Sequence, residues 1–298
     1  MRVSRPFLTK TGRFRIGWRL GGFFGVTLLA GVAVEGFVPS GVLGGSFAVL
    51  FGALVAGWTL LALDGRRPSA LGFYLARDSV TETLRGTALG VLIGMMVVGG
   101  MALLGGLTWN TQPGSGVGWC VGAVVALMWF AIPAAAEEAL LRGYPLQALT
   151  ESYGPTVGVI ATSVAFGALH LGNPGSGVLE VANVTAAGLL FGVVYVKTLS
   201  LWLVTGLHLG WNWAHGYLAD VPVSGLDVVD APLYEGSTRG AQWLGGGEFG
   251  PEGSLVATAV LLAVTAWWWR SEGLKPGVAA SKSGALVSHE TNGNEQRN

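Results

Sequence analysis

The stretch Ala134-Ala135-Ala136-Glu137-Glu138-Ala139-Leu140-Leu141-Arg142 sets two adjacent carboxylates at the end of an apolar run that begins near Val117. An arginine follows four residues after the second carboxylate. A charge at the centre of a bilayer-spanning helix costs about 3 kcal/mol on insertion scales. Such a pair therefore needs partners or a task. On a helix, Glu138 and Arg142 share a face and can pair, which leaves Glu137, about 100° around the axis, uncommitted. A plain ion pair at a helix end is the competing reading. Three further polar groups stand inside other apolar runs: His170, and His208 with Asn212 at i and i+4 on one helix face.

Composition says that these runs lie in a membrane. Hydrophobic residues make up 51% of the chain and charged residues only 11%, with a mean hydropathy of +0.55. Soluble domains carry about 25% charged residues, so this chain cannot cover itself in polar surface. The 49 glycines suit close approach of membrane helices. The formal net charge is zero, and no basic patch points to nucleic acid. A single cysteine, Cys120, excludes an internal disulfide or a thiolate metal cage; it reads as a small apolar filler. No cleavable signal peptide is evident, because the first apolar run is long enough to span and lacks a clear cleavage site.

Eight apolar runs approach spanning length, at about 17–38, 43–63, 84–107, 117–138, 156–174, 178–197, 200–218 and 254–270. The expected fold class is thus all-α, a polytopic integral membrane helical bundle of about eight transmembrane helices. With the amino terminus inside, 16 of the 17 Lys and Arg residues fall on the cytoplasmic side, Arg142 and Lys197 among them, and only Arg239 falls outside. The positive-inside rule therefore gives an N-in, C-in chain. The expected organisation is a basic cytoplasmic segment at 1–16, one membrane-embedded domain at 17–270 and a flexible cytoplasmic tail at 271–298. The acidic, Gly- and Pro-rich stretch 219–253 becomes the longest external loop, and Trp267-Trp268-Trp269-Arg270 an interfacial belt. Pairs of glycines four apart at 21/25, 90/94, 118/122, 188/192 and 206/210 read as helix-packing surfaces. By length alone Glu137 sits nearer the cytoplasmic end than His170 does; they meet if the fifth helix starts below the membrane surface or if Pro133 bends the fourth inward.

The ordered motifs resemble a known family. Glu137 to Arg142 resembles the EExxxR motif of the CPBP family, the CAAX proteases and bacteriocin-processing enzymes; Phe166 to His170 matches its FxxxH motif and His208 to Asn212 its HxxxN motif. The surrounding text, including Gly246-Gly247-Glu248-Phe249-Gly250-Pro251-Glu252-Gly253, is similar to the bacterial branch, and the resemblance covers roughly residues 70–270. It implies an intramembrane endopeptidase in the plasma membrane, with its cavity opening toward the cytoplasm. By the same resemblance, Glu137 and His170 activate the attacking water while His208 and Asn212 stabilise the oxyanion. Glu138 and Arg142 are then supporting residues. The partners implied are a peptide or protein substrate and the lipid bilayer. Glu137, His170 and His208 could form a three-ligand zinc site, but the HExxH spacing is missing, and no cofactor is the favoured reading.

Two other functions fit the same residues. A transporter or channel would use the Glu and His groups as an ion pathway, although no paired half-span repeats appear. A non-catalytic immunity or scaffold protein would bind a peptide in such a cavity. Among the remaining polar groups, Asn183 reads as a helix-to-helix hydrogen bond, with Glu180 beside it as a second cavity candidate. His215 reads as structural or interfacial, and His289 as a tail residue without a specific role.

Overall fold

The computed structural model describes residues 7–8 and 14–284. Residues 1–6 and 9–13 of the expected basic segment, and 285–298 of the expected tail with His289, lie outside the described residues. Each of the eight apolar runs contains a helix. They are α1 (Ile16–Glu35), α2 (Val42–Leu63), α3 (Arg77–Leu103), α4 (Gly116–Glu138), α6 (Pro155–Leu169), α7 (Val178–Thr198), α8 (Leu201–Trp213) and α10 (Leu255–Arg270). Between them lie α5 (Tyr144–Tyr153) and the one-turn α9 (Gln242–Gly245); α11 (Val278–Lys282) comes last. Four spans, α1, α2, α3 and α7, are long and apolar enough to cross a membrane as single helices, and a fifth is the 38-residue rod Gly116–Tyr153; α6 and α10 are shorter apolar helices. This is a multi-pass helical membrane bundle.

Three boundaries differ from the sequence reading. The third helix starts at Arg77 rather than near 84, because Ser79 Oγ accepts from the Ala76 amide at 3.2 Å and caps the chain there. It ends at Leu103, and Leu107–Thr111 (β1) instead pairs antiparallel with Tyr234–Thr238 (β2), Trp109 opposite Gly236. Second, no loop follows Glu138. A π-turn over Ala139–Gly143 carries α4 directly into α5, so Arg142, counted as a cytoplasmic loop charge, is fully buried inside the bundle. Third, the first part of the expected tail is tied to the bundle at two points: Arg66 Nη2 donates to Gly284 O at 2.8 Å, and Lys197 Nζ donates to Ser271 O at 2.7 Å.

The connections gather at two ends. At one, Arg19 bridges Asp64 and Glu151, both at 3.0 Å, and Arg66 meets Glu151 at 2.7 Å and Gln147 at 2.6 Å. This is the end of the Lys- and Arg-rich connections. At the other, the β1–β2 ribbon joins the α3–α4 connection to 219–253, and Asn173 Nδ2 donates to Ser224 O at 2.9 Å.

Helices α3 and α8 meet backbone to backbone. A Cβ on Gly86 or Gly90 would lie 2.1 Å from the carbonyl oxygen of Leu203 or Leu207, and one on Gly210 would lie 2.1 Å from that of Thr87. Gly188 packs on the backbone of Ser163, Gly192 on the side chain of Val159 and Gly122 on the side chain of Tyr217. The Gly21/Gly25 pair does not, since nothing lies within 4 Å of either; that reading is corrected. The outcome is a direct contrast. Gly210→Val should overpack α3–α8 by at least about 1–3 kcal/mol and sharply reduce the folded fraction, whereas Gly21→Ala should be neutral. Size-exclusion profiles of the detergent-solubilised variants check this.

Candidate functional site

Glu137 and Glu138 leave α4 in its last turn, just before the π-turn. Glu138 is fully buried, and its Oε1 accepts from Arg142 Nη1 at 3.2 Å. The arginine is held by a second bond, Nη2 to Gly188 O at 3.1 Å, and by the faces of Phe166 and Phe191, 4.4 and 5.5 Å from its Cζ. The same Glu138 Oε1 also accepts from His208 Nδ1 at 2.9 Å. Glu138 therefore positions a histidine, a more specific role than the supporting one that the resemblance implies. With Nδ1 turned to Glu138, His208 Nε2 faces Glu137 Oε2 at 3.8 Å. Phe191 stacks on the imidazole at 4.8 Å between centroids and Phe166 meets it edge-on at 5.8 Å, so the ring has little freedom to turn.

His170 caps the end of α6. Its Nδ1 bonds to Phe166 O at 2.9 Å. A carbonyl only accepts, so Nδ1 carries the hydrogen and the neutral ring keeps a lone pair on Nε2. Glu137, His170, His208 and Asn212 all line one cavity of about 390 Å³. Asn173 and Ser224 add polar groups to the wall, and Trp129, Phe130, Leu140, Leu169, Val223 and Leu226 supply apolar surface. Glu137 lines the cavity, and its Oε2 is buried and has no hydrogen-bond partner. Glu138 and Arg142 stand behind this wall rather than in it.

Residues 119–214 match the family model described as type II CAAX prenyl endopeptidase Rce1-like. The chain carries an Rce1-like core. At the family level this match supports a CAAX-type intramembrane endopeptidase, a peptide hydrolase, and the matched span contains all seven residues that define the three motifs. No curated protein matches the chain significantly.

Beyond the Rce1-like span the structure brings in a carboxylate to which the motif reading gave no role. Glu252 is buried and accepts from Trp211 Nε1 at 2.6 Å and Ser224 Oγ at 2.5 Å. Together with His170 and His208 these residues border a second, very small cavity behind the first. The only local signal was its Gly-Pro-Glu-Gly setting, since 41 residues separate it from Trp211. Asn183 makes the expected inter-element bonds, donating to Glu252 O at 2.7 Å and Ser254 O at 2.9 Å and accepting from Thr258, while it also borders the small cavity. Glu180 accepts from Gln242 Nε2 at 2.9 Å and lines neither cavity. His215 is buried against Trp211, centroids 4.5 Å apart, a structural position. Cys120 is exposed on the bundle surface rather than filling the interior.

Outside the spans, Asp220 anchors the loop that reaches the cavity, accepting from the amides of Ala231 at 2.8 Å and Gly236 at 3.3 Å. Burial pushes its carboxyl up to about 6 from the ordinary 3.8, although both amides favour the ionised form. A raised carboxyl pKa means that its contribution to loop stability is complete below about 3.8 and is lost as pH rises through about 6. Hydrogen exchange across 220–236, corrected for intrinsic rates, should therefore show tighter protection at pH 4 than at pH 7.5, and Asp220→Asn should remove the difference. Within the bundle, Arg142→Ala strands Glu138 and should cost about 3–5 kcal/mol, read as loss of folded protein in a detergent melt.

Proposed function

We propose that the chain hydrolyses peptide bonds of membrane-associated peptide or protein substrates, with Glu137 as general base for the attacking water and His170 beside it. The observation that carries this reading is the partnerless Glu137 Oε2, 3.8 Å from His208 Nε2 on the wall of a cavity shared with His170 and Asn212. A carboxylate needs a free lone pair to take a proton from water, and this one has it. His170, with Nε2 free, is a second acceptor that orients the same water. As the water attacks the scissile carbonyl, negative charge develops on the carbonyl oxygen. The Asn212 amide, and His208 when Nε2 bears a proton, are the donors for that oxygen, worth about 3 kcal/mol each by analogy with measured oxyanion holes. Glu137 then returns the proton to the leaving amine. Glu138 holds His208 by Nδ1 so that Nε2 stays on the cavity side.

We take the reaction to be metal-free. A zinc site would require three donors converging on one point, and among the described residues no group of three or more His, Cys, Asp or Glu is arranged to hold a metal ion. The proposed location is the plasma membrane. On the side of access, the lining residues favour the end opposite the basic connections over the cytoplasmic mouth that the resemblance implies.

Glu137→Gln is expected to lower turnover by about 10²–10⁴-fold with unchanged folding, and Asn212→Ala by about 10²–10³-fold. Mass-spectrometric cleavage assays on purified protein in liposomes, run with and without a strong zinc chelator, check both. Wild-type turnover in Glu137→Gln would sink the mechanism, and loss of activity on chelation would sink its metal-free form.

A further inference from the structure

The cavity has two ends with opposite properties. From the level of Glu137 toward the basic connections the bundle is solid: Leu141, Arg142, Tyr144 and Gln147 are buried, as are the facing Ala53 and Ala56 of α2. Beyond them the Arg19–Asp64–Glu151–Arg66 bridges tie α1, the α2–α3 connection and α5 together. No cavity-lining residue comes from this end.

The other end is open. Val42, in the first turn of α2, is 43% exposed, and Leu169, in the last turn of α6, is 58% exposed. Gly45 is exposed and Leu226 and Val228 are half-buried along the same wall. Axial distances agree. Glu137 lies ten residues from Gln147 and His208 eight from Ser200, which puts them about 15 and 12 Å from the basic end, whereas Val42 lies about 33 Å from Asp64. The cavity therefore runs from mid-bundle away from the basic end. Part of its far wall is a loop folded inward: Ser224, at φ 50°, is held by Glu252 through Oγ and by Asn173 through its carbonyl oxygen.

The connections of that far end, residues 36–41, 104–115, 170–177 and 219–253, contain a single basic residue, Arg239. By the positive-inside rule they face away from the cytoplasm. We infer that the cavity is reached from the non-cytoplasmic side, along the first turns of α2 and the 223–228 loop, so that the substrates are peptide segments presented at the outer leaflet. Their chemistry follows from the walls, apolar side chains flanking a polar catalytic floor. They are extended segments with apolar residues on both sides of the cleaved bond, as at the outer end of a membrane helix. The substrate part of this inference rests on the protease reading; the side of the opening does not.

Single-cysteine variants test it in a Cys120→Ala background. Ser46→Cys and Leu226→Cys sit at the mouth, and Glu272→Cys, exposed after α10, is the control for the basic end. In sealed vesicles of known sidedness, a membrane-impermeant maleimide should label both mouth variants at least tenfold faster from the non-cytoplasmic side. Glu272→Cys should show the reverse. Faster labelling of the mouth variants from the cytoplasmic side overturns the inference. So does labelling from neither side with full reaction in detergent, since the cavity would then open only into lipid. Glu137→Gln cleavage is read separately, so a failed protease reading leaves the labelling result standing.

Discussion

A carboxylate enclosed in a helical bundle has to be held by donors or it unfolds its surroundings, and Glu138 is the carboxylate on which this structure turns. One oxygen collects Arg142 from the next turn of the same rod and His208 from α8. Arg142 in turn donates to Gly188 on α7. Three segments distant in sequence are thus joined through one ion pair. A buried pair of this kind adds little net stability, because desolvation offsets most of the attraction, but it penalises every arrangement that leaves one member alone. Its contribution is to specify geometry: the ring of His208 can satisfy Glu138 only by presenting its other nitrogen to Glu137.

The glycines and the π-turns make that geometry reachable. Backbone contact between α3 and α8 depends on positions where any Cβ would strike a carbonyl oxygen. Two of the three helices that carry motif residues end in π-turns, Ala139–Gly143 after α4 and Ala214–Leu218 after α8. The extra residue in such a turn shifts the face of the helix that follows, and turns of this kind are frequent at functional sites. Here the first lets α4 continue into α5 without a break, so Glu137 and Glu138 fall in the interior of a long rod and not at its exposed end. The expected difference in depth between Glu137 and the histidines is resolved by this continuation; a loop after Glu138 would have put the pair at the surface.

Glu252 and Ser224 extend the same economy of polar contacts into the far loop. Two neutral donors, an indole N–H and a hydroxyl, satisfy the carboxylate and bring residues 223–228 against the cavity. The result is a pocket closed toward the basic end by ion pairs and wide at the other, an asymmetry that bears directly on which side of the membrane supplies the peptide.

The amino-acid sequence by itself determined the class of molecule, the eight helical segments, the distribution of basic residues and the resemblance that residues 119–214 bear to the Rce1-like family. Each depends on short-range patterning: apolar runs, i and i+4 spacing, and the charge of connections. It also nominated Glu137, His170, His208 and Asn212, and all four line one cavity. The tertiary structure alone decided that Arg142 is interior, that Glu138 holds His208, that Gly21 and Gly25 meet nothing while Gly86 and Gly90 meet α8, and that Glu252 reaches Trp211. It also decided which end of the cavity is open. These are contacts between residues tens of positions apart, and no local periodicity encodes them. They exist because buried polar groups and close helix backbones can each be satisfied in only a few mutual arrangements, and packing the whole chain selects among them.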